Sequence, residues 1–321
     1  MKRAFLVCAA ALWVAILLAA PFIGAHEVGL ADLVAGDDLA ARIVWQLRLP
    51  RLLLALLAGG ALAVCGAAFQ TLFGNPLAEP YTLGVAGGAA LGAVLAQQFA
   101  RAAGLGGVAI VPLASFAGAL AASAVIVFVA RRRSTATLLL AGVAVALTSS
   151  AMILFVQYLA DFSRTFRMVR WMMGGLAVVG YDEVLWAAPW VALGAAALFV
   201  LRRDLDQLAT GEELAASRGV DLARLRLWVV AIVSLMVGAL VAVTGPIGFV
   251  GLIVPHWVRR GVGYAHAWVL PGAFLTGGAF LALCDLLARR VLAPADLPVG
   301  VLTAIVGGPF FLWLLLRDEF R

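Results

Sequence analysis

The chain has 321 residues, of which 64% are apolar and only 12% are charged, and its formal net charge is +6. Soluble domains are about half apolar and about one quarter charged, so this composition excludes an ordinary soluble protein and indicates a membrane protein. The only lysine is Lys2, which excludes a P-loop ATPase because that motif needs a lysine to contact the nucleotide phosphates. The three cysteines lie in or beside apolar runs, and their odd number predicts no disulfide framework.

The first apolar run, residues 5–23, follows a basic start and ends near small residues, as a cleaved signal peptide would. Its length favours a retained membrane span, because the apolar core of a signal peptide has only about 7 to 15 residues. Nine further apolar segments follow, and we predict an all-α polytopic protein with about ten transmembrane helices in a single membrane domain over residues 1–321. The later spans are predicted over residues 51–73, 83–98, 108–130, 136–159, 184–201, 227–244, 249–258, 269–287 and 299–316.

Glycine marks two features of these spans. The span over residues 249–258 is short for a full crossing and follows a Gly/Pro-rich segment, so we expect it inside the bundle, where irregular backbone is tolerated. In the third span Gly84, Gly87, Gly88 and Gly92 are spaced so that small residues share a helix face. This spacing predicts close contact with a neighbouring helix rather than a binding site.

The charges of the loops predict the orientation. With the N-terminus inside and ten crossings, 14 of the 23 basic residues and 8 of the 17 acidic residues fall on the inner side. By the positive-inside rule, both termini are then cytoplasmic. Arg48 and Arg51 of the motif RLPR face outward, on the same side as Arg289. From the residues alone, snorkelling of these side chains to outer lipid headgroups is an adequate explanation.

The segment FGNPLAEPYTLG, residues 73–84, separates the second and third spans, and we call it the inner turn. Its two X-Pro steps disfavour helix, so the chain must turn here. The turn also carries a lone carboxylate, Glu79. The segment is either an ordinary cytoplasmic turn or part of an inner gate.

The longest inner loop, residues 202–226, contains a predicted short helix. Thr210 and Glu213 form a capping box, and Gly219 is a plausible stop, which gives about two helical turns. A helix this short is not stable alone, so it needs a partner surface. That surface is either the chain itself or a cytoplasmic partner into which the helix inserts.

Ionisable residues are nearly missing from the predicted spans, and His26, His256 and His266 are isolated in sequence, so we expect structural or solvated roles for them. No nucleophile, base or metal-ligand cluster supports a membrane enzyme.

Residues 60–66 and 238–245 are weakly similar in sequence and lie in predicted spans of opposite direction. Such similarity is typical of inverted-repeat transporters. An ion-coupled secondary carrier working without an ATPase is therefore the alternative function, although the missing carboxylates count against it.

The chain resembles the FecCD family, the membrane permeases of ABC importers for iron siderophores, haem and vitamin B12. The resemblance rests on the segments RLPRLLLALLAGGALAVCGAAFQTLFGNPLAEPYTLGVAGGAALGA, STATLLLAGVAVAL, WMMGGL, GEELAASRGVD, GPIGFVGLIVPHWVRR and DLLARRVLAPADLPVGVLTAIVGGPFFLWLLL. It implies the type II ABC importer permease fold, a homodimer or pseudodimer in the bacterial inner membrane, two separate ATPase subunits that bind ATP and Mg²⁺, and a periplasmic or lipid-anchored binding protein. The chain itself would hold no cofactor and no metal and would not be an enzyme.

The resemblance also assigns roles to residues. The loop over about residues 204–222 would hold the coupling helix that contacts the ATPase, with the matching positions Gly211, Glu212, Glu213, Arg218 and Gly219. The outer arginines that receive acidic residues of the binding protein would be Arg48, Arg51 and Arg289. The cytoplasmic gate would involve Asn75, Leu77, Thr135 and Ala136. The substrate stays open between siderophore, haem and vitamin B12.

Overall fold

The computed structural model describes residues 2–24, 28–29, 32–33, 38–81, 84–99, 110–130, 135–291 and 296–316. Over these ranges the chain is helical apart from turns and short connections, and no β-strand is present in them. The helices are α1 (Lys2–Ala19), α2 (Asp38–Arg42), α3 (Leu49–Leu72), α4 (Val85–Phe99), α5 (Ile110–Ala130), α6 (Thr135–Leu159), α7 (Phe162–Met172), α8 (Asp182–Val200), α9 (Arg202–Leu208), α10 (Glu212–Ser217), α11 (Leu222–Thr244), α12 (Val250–Val262), α13 (His266–Val291) and α14 (Val299–Leu316).

The predicted all-α polytopic architecture is confirmed. Within the described ranges, ten apolar helices occupy the positions of the ten predicted spans: α1, α3, α4, α5, α6, α8, α11, α12, α13 and α14. Six segments of this part of the chain are long and apolar enough to cross a membrane, and α4, α5 and α14 contain shorter apolar stretches. Helix α12 has 13 residues and buries Val250 to Pro255, which agrees with the short, enclosed eighth span expected from sequence.

Helix α3 is the centre of the bundle, because most of its side chains are buried and it packs against α13, α12, α11 and α8. The close approach of neighbouring helices depends on glycine at their contact points. A Cβ atom on Gly59 would overlap the carbonyl oxygen of Gly277 in α13. A Cβ atom on Gly88 in α4 would lie 2.6 Å from the carbonyl oxygen of Gly118 in α5. The glycine pattern of the third span therefore serves helix contact, as predicted.

Three local features differ from the sequence-based expectation. A π-helical stretch, Ile43–Arg48, joins α2 to α3, so the helical segment of the second span begins before its predicted start. Helix α7 was not predicted; Asp161 caps it by accepting from the backbone N–H of Arg164 across 2.9 Å. Helix α9 was also missed, and it places a second short helix in the inner loop before α10.

Candidate functional sites at the two ends of the bundle

The three predicted outer arginines lie together at one end of the bundle. Arg48, Arg51 and Arg289 line one cavity of about 370 Å³, which Asp296 also lines. Arg48 ends the π-helical stretch, Arg51 lies in the first turn of α3, and Arg289 lies in the last turn of α13. Because α3 packs against α13, these residues meet although they are far apart in sequence.

Arg51 contacts two carboxylates, Asp285 and Asp296. Its Nε atom donates to Oδ1 and Oδ2 of Asp285 across 2.9 and 3.1 Å, and its Nη2 atom lies 2.8 Å from Oδ1. Its Nη1 atom donates to Oδ2 of Asp296 across 2.6 Å. The guanidinium of Arg51 thus binds two carboxylates at once, in the multidentate geometry that arginine favours.

The two other arginines are also largely enclosed. Arg289 places Nε 3.1 Å from Oδ2 of Asp285, one helical turn earlier in α13. Arg48 is 7% exposed and donates from Nη1 to the carbonyl oxygen of Pro21 across 3.0 Å. Three guanidinium groups and the carboxylate of Asp296 therefore line one cavity, and the buried carboxylate of Asp285 lies behind them.

At the other end, the structure contains the short helix predicted in the inner loop. Helix α10 covers Glu212–Ser217 and ends as expected at Gly219, whose φ is +88°. The N–H of Gly219 bonds the carbonyl of Ala216 across 3.0 Å and that of Val220 bonds Ala215 across 3.1 Å, which is the Schellman pattern. Leu214 is 52% exposed on this helix and offers an apolar contact surface.

The predicted capping box of α10 is wrong. The N-cap is Gly211, with φ of +117°, and no side chain caps the helix. The hydroxyl of Thr210 donates backward to the carbonyl of Gln207 across 2.8 Å, because Thr210 still belongs to the end of the α9 region. Glu212 instead forms an ion pair with Arg226 at 2.6 Å, which ties α10 to the start of α11. Glu213 and Arg218 are exposed.

The inner turn follows α3 directly. Oδ1 of Asn75 accepts from the backbone N–H of Leu77 across 2.9 Å, which fixes the turn locally. Leu77 is half-buried. Thr135 and Ala136 begin α6, but their side chains lie outside the described part of the chain. The structure therefore does not test whether these two residues meet Asn75 and Leu77.

Comparison with known proteins decides the family. The profile of the FecCD transport family matches residues 11–317. The chain belongs to the FecCD transport family. It is 39% identical to the hemin transport system permease protein of Yersinia pestis, over 86% of this chain and 84% of that protein. It is also 39% identical to the vitamin B12 import system permease protein of Vibrio cholerae, over 91% of this chain and 88% of that protein.

A solved structure of the same fold supports this assignment. It is described as a metal-chelate type ABC transporter in an inward-facing conformation, and it matches with a TM-score of 0.88 at 30% identity, over 99% of this chain and 100% of that one. The type II importer permease fold predicted for the FecCD chain is thereby confirmed. None of these similar proteins favours the ion-coupled carrier.

Sequence reasoning missed a buried carboxylate contact in the FecCD chain. Glu79 of the inner turn accepts through Oε2 from the backbone N–H of Phe249 across 3.2 Å, and the hydroxyl of Tyr81 bonds the backbone N–H of Ile247. Phe249 has φ of +69°, which is unfavourable for a residue other than glycine. Burial raises the pKa of Glu79 to about 7, although the bond from Phe249 acts in the opposite direction.

A second missed feature of the FecCD chain is a cavity of about 330 Å³ between the inner turn and α10, whose mainly apolar lining also includes polar side chains. Arg259 of α12 reaches its wall, where it donates to Oε1 of Gln70 and, across 3.2 Å, to the carbonyl of Ala67. The sequence shows these residues, but not that α3 and α12 would bring them together. Across the described residues, no group of three or more His, Cys, Asp and Glu side chains is placed to hold a metal ion.

Proposed function

We propose that this FecCD chain is the permease subunit of an ATP-driven importer that carries an iron siderophore, haem or vitamin B12 across the bacterial inner membrane. The observation that carries the proposal is the family match over residues 11–317, together with relatives named for hemin and vitamin B12 transport. The chain does no covalent chemistry in this scheme and holds no cofactor. A separate ATPase subunit binds ATP and Mg²⁺.

The assembly that we propose contains two copies of this chain. Helix α6 exposes Leu140, Leu147 and Leu154 by 69%, 66% and 66%, and their seven-residue spacing puts them on one helix face. Such a face contacts either lipid or another helix, and in the proposed dimer the second copy covers it. Both termini lie in the cytoplasm in this scheme, because the inner loops carry most of the basic residues.

The proposed cycle uses both ends of the bundle. A loaded binding protein places carboxylates on the outer cluster of Arg48, Arg51 and Arg289. The three guanidinium groups are largely enclosed, so the carboxylates must reach the wall of the cavity, and several ion pairs act together. ATP closes the partner ATPases, which move α10 through Gly211, Glu212, Glu213, Arg218 and Gly219. The gate formed by Asn75, Leu77, Thr135 and Ala136 then rearranges.

Reconstitution tests the proposal. The permease, its partner ATPase and its binding protein are placed in proteoliposomes, and uptake of labelled cyanocobalamin, haemin and a ferric siderophore is measured separately. We expect uptake of one of these probes that requires all three proteins and stops without ATP. Uptake by the permease alone, driven by an ion gradient, would overturn the proposal in favour of the ion-coupled carrier.

A further inference from the structure

A chain of hydrogen bonds joins the segment that carries α10 to the end of α3. Oδ1 of Asp206 in α9 accepts from the backbone N–H of His266 across 2.7 Å and lies 2.6 Å from its ring Nδ1. On the other side of the imidazole, Nε2 lies 2.8 Å from Oγ1 of Thr71 in the last turn of α3. His266 is 1% exposed whereas the side chain of Asp206 is 37% exposed, so the imidazole is shielded from water and the carboxylate is partly solvated.

Each end of this chain of bonds leads to a predicted functional segment. The backbone N–H of Gly74 bonds the carbonyl of Thr71 across 3.2 Å, so the inner turn is attached to the residue that contacts His266. On the other side, α9 is anchored by buried Leu205 and Leu208, and the carbonyl of Leu208 accepts from Gly211, the N-cap of α10, across 3.0 Å. Asp206 and α10 therefore belong to one short segment that is connected by hydrogen bonds.

The cavity of about 330 Å³ lies between these two segments. Gly211 and Glu212 line it on the side of α10, Gly74 and Pro76 line it on the side of the inner turn, and His266 contributes to its wall. Open space therefore separates these parts of α10 and the turn. The hydrogen-bonded side chains of the wall provide a connection around that space.

We propose that Asp206, His266 and Thr71 are positioning residues that transmit movement of α10 to the inner turn. The proposal rests on the function proposed above, in which α10 contacts the ATPase and the turn belongs to the gate. Apolar contacts are non-directional and can slide, whereas hydrogen bonds are directional and weaken steeply when their geometry is distorted. Both ring nitrogens of His266 are engaged, so its ring cannot turn without loss of a bond.

The test measures the response of the inner turn to nucleotide. Leu77→Cys serves as the reporter in a chain whose exposed thiol has been removed by Cys8→Ser. The permease is assembled with its partner ATPase in lipid nanodiscs, and the rate of labelling by a charged maleimide is compared with and without Mg-ATP and vanadate. We expect nucleotide to change this rate in the parent chain, and His266→Ala or Thr71→Val to reduce that change about tenfold, within the range typical of coupling between sites.

Two matched variants separate transmission from general damage. Thr71→Ser keeps the hydroxyl group and should retain the response. Thr276→Val removes a buried hydroxyl from α13 that has no hydrogen-bond partner within the described residues, and it should also retain the response. Because all three residues act in one chain, Thr71→Val combined with His266→Ala should lose no more than the more severe single variant.

The possible results are distinguishable. An unchanged nucleotide response in both His266→Ala and Thr71→Val overturns the inference and leaves the proposed function intact. A parent chain that fails to bind the ATPase, or shows no nucleotide response, overturns the proposed function and the inference together. A variant that assembles poorly, but whose assembled fraction responds fully, shows a purely structural role and overturns the inference alone.

Discussion

Arg51 contacts two carboxylates, Asp285 and Asp296, that differ strongly in their exposure to solvent. Asp285 is 1% exposed and is held through Nε and Nη2, whereas Asp296 is 46% exposed and contacts Nη1 across 2.6 Å. Asp296 therefore occupies the edge of the guanidinium that faces the cavity lined by the three arginines. If a binding protein docks here through carboxylates, Asp296 competes with them for Arg51.

Neutralising this competitor should strengthen docking. For Asp296→Asn we expect the affinity for the binding protein to rise by about two- to fivefold, because one exposed ion pair is worth about 0 to 1 kcal/mol. Surface plasmon resonance with the permease in nanodiscs measures the effect. Asp182→Asn removes the same charge from the exposed start of α8 and serves as the control. Unchanged or weaker binding by Asp296→Asn contradicts the prediction.

Asp285 should matter for stability instead. Asp285→Asn leaves Arg51 and Arg289 close together without their shared buried carboxylate. Removal of one partner from a buried pair typically costs about 3 to 5 kcal/mol, and we expect a loss of that order in the free energy of unfolding. Denaturant unfolding in detergent measures it. Asp296→Asn is the matched control and should change stability by less than about 1 kcal/mol; equal losses in both variants would rule out this difference in roles.

Glu79 should make stability depend on pH. Burial raises its pKa from 4.5 to about 7, so between these values the folded chain binds more protons than the unfolded chain. The free energy of unfolding should therefore fall as the pH rises through this window, and Glu79→Gln should remove that slope. Thermal unfolding midpoints measured across the window provide the test. Glu213→Gln, which alters an exposed carboxylate, should keep the slope. A wild-type midpoint that does not fall with pH would refute the prediction.

Leu214 should contribute to ATPase binding. It is the large exposed apolar residue of α10, and large side chains enclosed at the centre of an interface carry much of its binding energy. We expect Leu214→Asp to reduce co-purification of the ATPase at least about tenfold, because it would bury an unpaired charge. Ser217→Ala on the same helix is the control. ATPase recovery equal to that of wild type would show that α10 contacts something else.

Local sequence signals predicted some features well and others poorly. The end of α10 at Gly219 was predicted because the left-handed conformation at a helix C-terminus favours glycine, which is a property of that residue alone. The start of α10 was predicted one residue too early, with Thr210 as the N-cap instead of Gly211. Thr210 bonds back to the end of α9, a helix that was not predicted from the sequence. Helix α7 was missed because it is too polar and too short to resemble a span.

The sequence by itself determined the membrane class, the positions of the ten spans, the short eighth segment and the family, because apolar length, glycine spacing and motif order are local properties of the chain. Only the tertiary structure decided the polar contacts. His266 is isolated in sequence, yet it lies between Asp206 and Thr71, and Arg51 meets Asp285 through the packing of α3 on α13. Partners this distant are set by which helix faces meet, and a nearly uniform apolar sequence carries little information about that choice.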